Sequence, residues 1–260
     1  MFAQPSYRMY RGSRKHSRCE AQVRNFFTNA ADVGCLLFWV AVIAPAVDSS
    51  IGILLTHQQL RWEQKEIAVS ESTNEEVKIV GISGSLRKAS FSTALLEIVA
   101  EKSASSINIQ VVTLNDIPLY NEDLDTATGV SAVNALKRLI SSCDGVLIST
   151  PEYNHGIPGV LKNTLDWLSR PASESCFKNK PVSIISSSKA FTGGVRAQYQ
   201  LREALISMEA QLVMGPEVVV GGVHQHFEDE SYADEAGLIF MLNSLNRLKD
   251  AALYRRLVAA

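Results

Sequence analysis

The sequence predicts an α/β domain: a doubly wound three-layer sandwich around a five-stranded parallel sheet of order 2-1-3-4-5, preceded by an N-terminal extension. Three observations carry this reading. From Val77 onward, short β-rich apolar runs alternate five times with segments of helical spacing, the pattern of a parallel sheet covered on both faces. The three most unusual loops of the chain follow the first, third and fourth of those runs, and order 2-1-3-4-5 makes those strands neighbours at the point where the order reverses. Residues 1–76 share none of this alternation.

The elements follow in order. Val77–Ser83 (VKIVGIS) is the first strand, and Thr93–Lys102 has helical spacing. Ile107–Leu114 is the second strand; Val130–Ser142 is a helix whose Val133, Leu136, Leu139 and Ile140 share one face. Gly145–Thr150 (GVLIST) is the third strand, before a helix at Val160–Leu168. Val182–Ser187 (VSIISS) is the fourth strand, Val195–Met208 its helix, Glu217–Gly221 the fifth strand and Asp234–Leu257 a closing helix. The 46% hydrophobic content supplies the core such a domain needs.

The extension reads differently. Up to Ala31 it is rich in arginine, with Glu20 its single acid. The uncharged run Val33–Val47 follows, shorter than the ~20 residues of a spanning helix; continuing to Leu55 adds Asp48 to a run that already holds Pro45. A membrane anchor or signal, an organelle transit peptide and a poorly ordered extension all fit, and Ser70–Glu76 reads as a polar linker. The expectation favours the poorly ordered extension and a cytoplasmic location. Membrane association through residues 33–55, or an organellar address, is the alternative.

Composition excludes several function classes. Lys+Arg 25 against Asp+Glu 27 gives no bulk attraction to nucleic acid or to anionic membranes. Cys19, Cys35, Cys143 and Cys176 have neither CxxC nor metal-finger spacing, which fits a reducing compartment. His224 and His226 have no third ligand or carboxylate to complete a metal site and read as a solvated loop. Cys143 and Cys176 read as packing or surface thiols, and Trp167 as core or subunit contact. Asp144 stands at the start of a strand, the wrong end for catalysis.

The loop after the first strand runs Gly84-Ser85-Leu86-Arg87-Lys88-Ala89-Ser90-Phe91-Ser92. It offers an anion free backbone N–H groups and the positive end of a helix dipole. Ser85, Ser90 and Ser92 add hydroxyl donors, and Arg87 adds a charge-assisted bond to phosphate. It matches neither GxxxxGK[ST] nor GxGxxG, and Gly81-Ile82-Ser83-Gly84-Ser85 has the wrong register for a serine-hydrolase elbow. A phosphoacceptor receiver is excluded because the first strand ends in Gly-Ile-Ser without an acidic cluster for Mg²⁺. The second loop, Pro151 to Gly159, brings an aromatic ring and backbone N–H groups suited to a planar heteroaromatic ligand. The third, Ser186 through Gly194, puts small polar residues at the ligand's far edge.

Taken together, SGSLRKASFS (Ser83–Ser92), PEYN (Pro151–Asn154) with the following PGVLKNTLDWLSR (Pro158–Arg170), and GGVRAQYQLR (Gly193–Arg202) resemble the NADPH-dependent FMN reductase family. Within it the chain is similar to bacterial chromate and quinone reductases and to plant and fungal NAD(P)H:quinone reductases. The resemblance covers about Val77 to Glu217, more weakly the rest, and none of residues 1–76. It implies a flavodoxin-like fold and an FMN phosphate held by Ser85, Leu86, Arg87, Lys88, Ala89, Ser90, Phe91 and Ser92. It also implies that Glu152, Tyr153, Asn154 and His155 lie against the isoalloxazine, largely through backbone N–H groups, and that Ser188 contacts the flavin from the fourth-strand loop. His155 is pocket wall rather than an acid. Lys189-Ala190-Phe191 departs from the small, glycine-rich residues usual there. Lys189 either favours the anionic reduced flavin or points into solvent, the latter being the expectation.

The implied reaction has two halves: NAD(P)H, as NADPH or NADH, reduces FMN, and the flavin then reduces a quinone, free flavin or another acceptor. Because the cofactor carries the chemistry, no catalytic side chain is assigned. An azo-dye or metal-oxyanion reductase differs only in the second substrate, and a flavin-binding redox sensor is the alternative outside the enzyme class. A homodimer or homotetramer is expected. Its contact would draw on Arg196–Arg202, with Glu217 pairing Arg196 across the interface.

Overall fold

The computed structural model describes residues 76–126, 128–228 and 231–259. The expectations for the extension, residues 33–55 included, lie outside them. Among the described residues no helix is long and apolar enough to cross a membrane.

Strand β1 (Val77–Ser83) leads to helix α1 (Phe91–Lys102), then β2 (Ile107–Val112), α2 (Ser131–Ser142), β3 (Gly145–Pro151) and α3 (Gly159–Leu168). Strand β4 (Pro181–Ser187) and α4 (Val195–Ser207) come next, followed by β5 (Gln211–Leu212), β6 (Val218–Val220), a hairpin of β7 (Phe227–Glu228) and β8 (Ser231–Tyr232), and α5 (Glu235–Ala259). The sheet order is β2-β1-β3-β4-β5, with β6 also on β4, and every pair in it is parallel.

Side-chain alternation divides the core into two layers. Val80, Ile82, Val146, Ile148, Val182 and Ile184 pack against Leu136, Ile140, Leu161, Leu165, Leu201 and Leu205, on α2, α3 and α4. Val77, Ile79, Leu147 and Ile185 face the other way, onto Leu95, Leu96, Val99, Met241, Leu245 and Leu248, on α1 and α5. Burial on both faces explains why the strands read as near-continuous apolar runs.

Two details differ from the sequence expectation. The fifth strand is not one run at Glu217–Gly221: β5 pairs with Pro181–Val182 and β6 with Ile185–Ser187, both along β4. Between them Gly215 sits at φ 151° and is covered by Arg247, and Pro216 has no N–H for a ladder. Helix α1 begins at Phe91 rather than Thr93, because the Ser90 hydroxyl caps it by accepting the Thr93 N–H.

Two motif residues hold the β2–α2 connection. Asn163 accepts the Tyr120 N–H at 2.7 Å and donates to the Pro118 carbonyl at 2.8 Å. Trp167, buried, donates its ring N–H to the same carbonyl at 2.9 Å. Trp167 is therefore core, one of the two readings its sequence allowed.

At the amino ends of the strands, Asp144 accepts the Lys78 N–H and pairs with Arg256 of α5, which also donates to the Glu76 carbonyl. Lys180 is buried with its ammonium on the carbonyls of Ser141 and Cys143 at the end of α2. Burial pulls its pKa down, and burial pushes the Cys143 thiol up and Cys176 up to about 11. Both thiols are thus packing groups.

Burial alone would raise the Asp144 pKa, but Arg256 and the Lys78 N–H outweigh it and hold the carboxyl below its ordinary range. A lowered folded pKa gives stability that is present above the unfolded value and lost as pH falls through the folded one. Asp144→Asn should therefore cost about 1–3 kcal/mol at neutral pH. The gap from wild type, read from urea midpoints, should close as the pH drops below the carboxylate range.

Candidate functional site

Parallel register brings the carboxyl ends of β1, β3 and β4 side by side, with Ser83 opposite Ser149 and Pro151 opposite Ser187. The loops leaving these ends enclose a cleft of about 230 Å³. It is lined by Ser85, Arg87, Ser90, Phe91 and Ser92 after β1, by Pro151, Glu152 and Tyr153 from β3, and by Ser187, Ser188 and Lys189 from β4, with Val223 closing it. A second hollow adjoins it, where Leu86, Arg87 and Tyr153 meet the start of α3.

The first loop is shaped by its own hydroxyls. Ser85 accepts the Arg87 N–H at 3.3 Å, Ser83 shares a hydrogen bond with Thr93 at 2.8 Å, and Ser92 reaches Ser187 at 3.3 Å. The N–H groups of Phe91 and Ser92, which open α1, have no partner among the described residues. They are the orphan donors of a helix start, directed by the dipole toward a negative charge.

The second loop is a tight turn. Tyr153 and Gly156 exchange N–H···O bonds of 2.9 and 3.0 Å around Asn154 at φ 49° and His155 at φ 67°. Positive φ at both central positions is the type I′ pattern, which asparagine tolerates well. The turn carries Asn154 and His155 outward, so both are exposed and outside the cleft's lining, as are Lys88 and Ala89.

Two side chains fix this turn to α4. Gln200 accepts the Ile157 N–H at 2.7 Å, and a Cβ on Gly156 would come within 2.4 Å of the Gln200 carbonyl oxygen. Glu152 accepts the N–H groups of Arg196 and Ala197 at 3.0 and 3.4 Å and pairs with the Arg196 guanidinium at 3.2 Å. Helix α4 has no cap of its own, because Gly194 precedes it at φ 89°. Gly193 has no room for a side chain either, since a Cβ would stand 2.4 Å from Val219. A carboxylate from another strand therefore caps this helix.

These contacts correct the sequence reading. Arg196 pairs with Glu152 within its own chain, and Glu217 lies 3.6 Å from Arg202. Gln198 is buried, donating to Ser186 and to the Val218 carbonyl. Much of Arg196–Arg202 thus has partners inside the domain. Lys189 is exposed, as expected, and also stands in the lining of the cleft; Val223 was not anticipated there. His226 lies in a short helical turn rather than a solvated loop, with its ring nitrogens against the Gly221 carbonyl and Asp234. Glu152 was expected beside a ligand through its backbone; its carboxylate gives it a further role that only the position of α4 discloses.

The comparisons agree with this geometry. The family model described as NADPH-dependent FMN reductase matches residues 77–225. The NAD(P)H-dependent FMN reductase of Pseudomonas aeruginosa is 37% identical over 155 residues, 60% of this chain and 83% of that one. The quinone reductase of Escherichia coli is 40% identical over 158 residues, again 60% and 83%. Among solved structures, the flavoenzyme NAD(P)H:(acceptor) oxidoreductase FerB from Paracoccus denitrificans superposes with a TM-score of 0.61 at 28% identity. That likeness covers 68% of this chain and 97% of FerB.

Replacing Glu152 separates its two tasks. Glu152→Ala, which removes the cap, should lower stability by about 0.5–2 kcal/mol in a denaturant titration. Arg196→Ala keeps the cap and loses only a half-exposed ion pair, so it should cost at most about 1 kcal/mol. Equal losses would mean that the ion pair, not the cap, is what matters. With three motifs, the flavodoxin-like sheet and the family match in agreement, the chain belongs to the NADPH-dependent FMN reductase family.

Proposed function

We propose that the cleft at the ends of β1, β3 and β4 holds FMN, and that the protein uses it to pass electrons from NAD(P)H to a quinone. The enzyme class follows from family membership: the chain is an NAD(P)H-dependent FMN/quinone reductase. The single observation that carries the cofactor's seat is the donor set. Five serine hydroxyls, Arg87, Lys189 and the open start of α1 converge on one cleft. Its one carboxylate, Glu152, is 8% exposed and already engaged by α4. Such a lining suits a phosphate monoester and is hostile to a cation.

Ser85, Arg87, Ser90 and Ser92 would hold the phosphate. Tyr153, Glu152 and Ser188, on the other two loops, would bound the ring system. The chemistry FMN supplies when bound is two-electron acceptance from NAD(P)H and two-electron donation to the acceptor. The protein's part is to orient and to limit water. The turn at Tyr153–Gly156 is held by Gln200 and Glu152, so the second loop is in place before a ligand arrives. Leu86 and Tyr153, each about half exposed, give the rim an apolar edge suited to a planar quinone.

Arg87→Ala should weaken FMN binding about 10–100-fold, the worth of a charge-assisted hydrogen bond, read by quenching of FMN fluorescence. Wild-type affinity in the variant would place the phosphate elsewhere. Flavin released on denaturation should chromatograph as FMN, since the loop is built for one terminal phosphate; FAD alone would overturn the reading.

A homodimer or homotetramer is the proposed assembly. Tyr199 and Phe191 support it, exposed 61% and 93% on the α4 side of the cleft, where a neighbouring subunit could wall it. Light scattering of the flavin-loaded protein at micromolar concentration should give a multiple of the 28.5 kDa chain mass. A monomer mass would contradict it.

A further inference from the structure

Two cations line the cleft from opposite loops, Arg87 after β1 and Lys189 after β4. Neither forms an ion pair among the described residues. A phosphate monoester is already provided for by Arg87, the serine hydroxyls and the first N–H groups of α1. Lys189 is thus the one cation of the cleft lining that stands outside the phosphate loop.

Its backbone is also held in place. Ser188, just before it, donates its N–H to the Val220 carbonyl and accepts the Val223 N–H through its own carbonyl. Ala190, just after it, donates to the Ser188 hydroxyl at 3.1 Å and accepts N–H groups from Gly193 and Gly222. The Phe191 carbonyl leaves no room for a Cβ on Gly221, at 2.4 Å. The root of the lysine is thereby bolted to β6 and the turn that follows it. Glu152, the one acid of the cleft, is spent on α4 and Arg196 and leaves Lys189 uncompensated.

We propose that Lys189 stabilises the negative charge the flavin ring acquires on reduction, and so sets the reduction potential of the bound cofactor. The inference rests on the FMN reading above. Oxidised FMN takes up two electrons and one proton as a hydride equivalent from NAD(P)H, which leaves as NAD(P)⁺. The ring is then one negative charge richer unless a second proton follows from solvent. An ammonium carried on this anchored backbone at the cleft favours the charged product over that second protonation. Its attraction is greater for the reduced state, where the ring itself carries the charge, and that difference is what separates it from a phosphate ligand.

The test uses the full-length protein, FMN, and the variants Lys189→Met and Lys189→Arg. Binding of oxidised FMN is measured by fluorescence quenching, and the midpoint potential by dye-coupled titration between pH 6 and 8. Lys189→Met is expected to bind oxidised FMN within about threefold of wild type but reduced FMN about 10–100-fold more weakly. For a two-electron couple each tenfold is a potential about 30 mV lower. The potential of the wild type should fall by about 30 mV per pH unit, one proton for two electrons, and that of Lys189→Met more steeply, toward about 59 mV. Lys189→Arg should restore the wild-type potential.

Equal weakening of the oxidised and reduced complexes, with the potential unchanged, would make Lys189 a phosphate ligand and overturn the proposal. No change in either would place the lysine in solvent and overturn it too. A wild-type protein that takes up no FMN would overturn the cofactor reading along with it. An unchanged potential in a variant that binds FMN defeats the lysine proposal alone.

Discussion

Because every central strand is covered on both faces, polar loops can gather only at the strand ends, and this constraint organises the rest of the molecule. Val80, Ile82, Val146, Ile148, Val182 and Ile184 feed one apolar layer, with Leu147 and Ile185 feeding the other. The transition to polar chemistry occurs over the last residues of each strand. Ser83, Thr150, Ser186 and Ser187 are all buried, and a buried hydroxyl needs a partner. Those partners are the next layer outward: Thr93 for Ser83, Gln198 for Ser186 and Ser92 for Ser187. The core thus passes into the binding cleft through a shell of hydroxyl bonds rather than an abrupt edge.

That shell alone would leave three loops free to move independently. They are coupled by side chains that reach between elements. Glu152 and Gln200 tie the second loop to α4, and Gln198 ties α4 back to β4 and β6. The third loop is tied to β6 through Ser188 and Ala190. Helix α4 is therefore the common anchor. A site ordered before its ligand arrives gives up less conformational entropy on binding, and the carboxylate that caps this helix also belongs to the lining of the cleft.

How much of this the sequence discloses depends on whether its cause is local. Strands of apolar residues, the serine-rich loop and the Asn154 turn are written in consecutive residues, so the fold and the three loops could be read from them. The break in the fifth strand was legible in principle, since Gly215-Pro216 interrupts the run before Val218. Its consequence, a second short pairing at Gln211–Leu212, depends on β4 being long enough to take both segments. Glu152 is the clearest case of what was not legible. A carboxylate in a loop that receives an anion has the wrong sign locally, and its purpose emerges only when the fold brings Arg196 and Ala197 beside it. Within the chain Arg196 pairs with Glu152 and Glu217 lies by Arg202 for the same reason: sequence shows that charges exist, not which one is nearer.

The lining of the cleft also bears on what kind of catalyst this is. An enzyme that moves protons with its own side chains needs a carboxylate, imidazole or similar group poised at the reacting atoms. Here the described lining offers hydroxyls, two cations, aromatic and aliphatic surface, and one carboxylate that is already spoken for. His155 is directed outward by its turn, and His226 is held by Asp234 and the Gly221 carbonyl. Such a cleft is poor in acids and bases and carries two cations. It is suited to holding an anionic, redox-active ring and tuning it electrostatically, while the bond-making is left to the cofactor and the nicotinamide. On the FMN reading proposed above, the placement of charge around the ring, more than any proton donor, is the protein's contribution to the reaction.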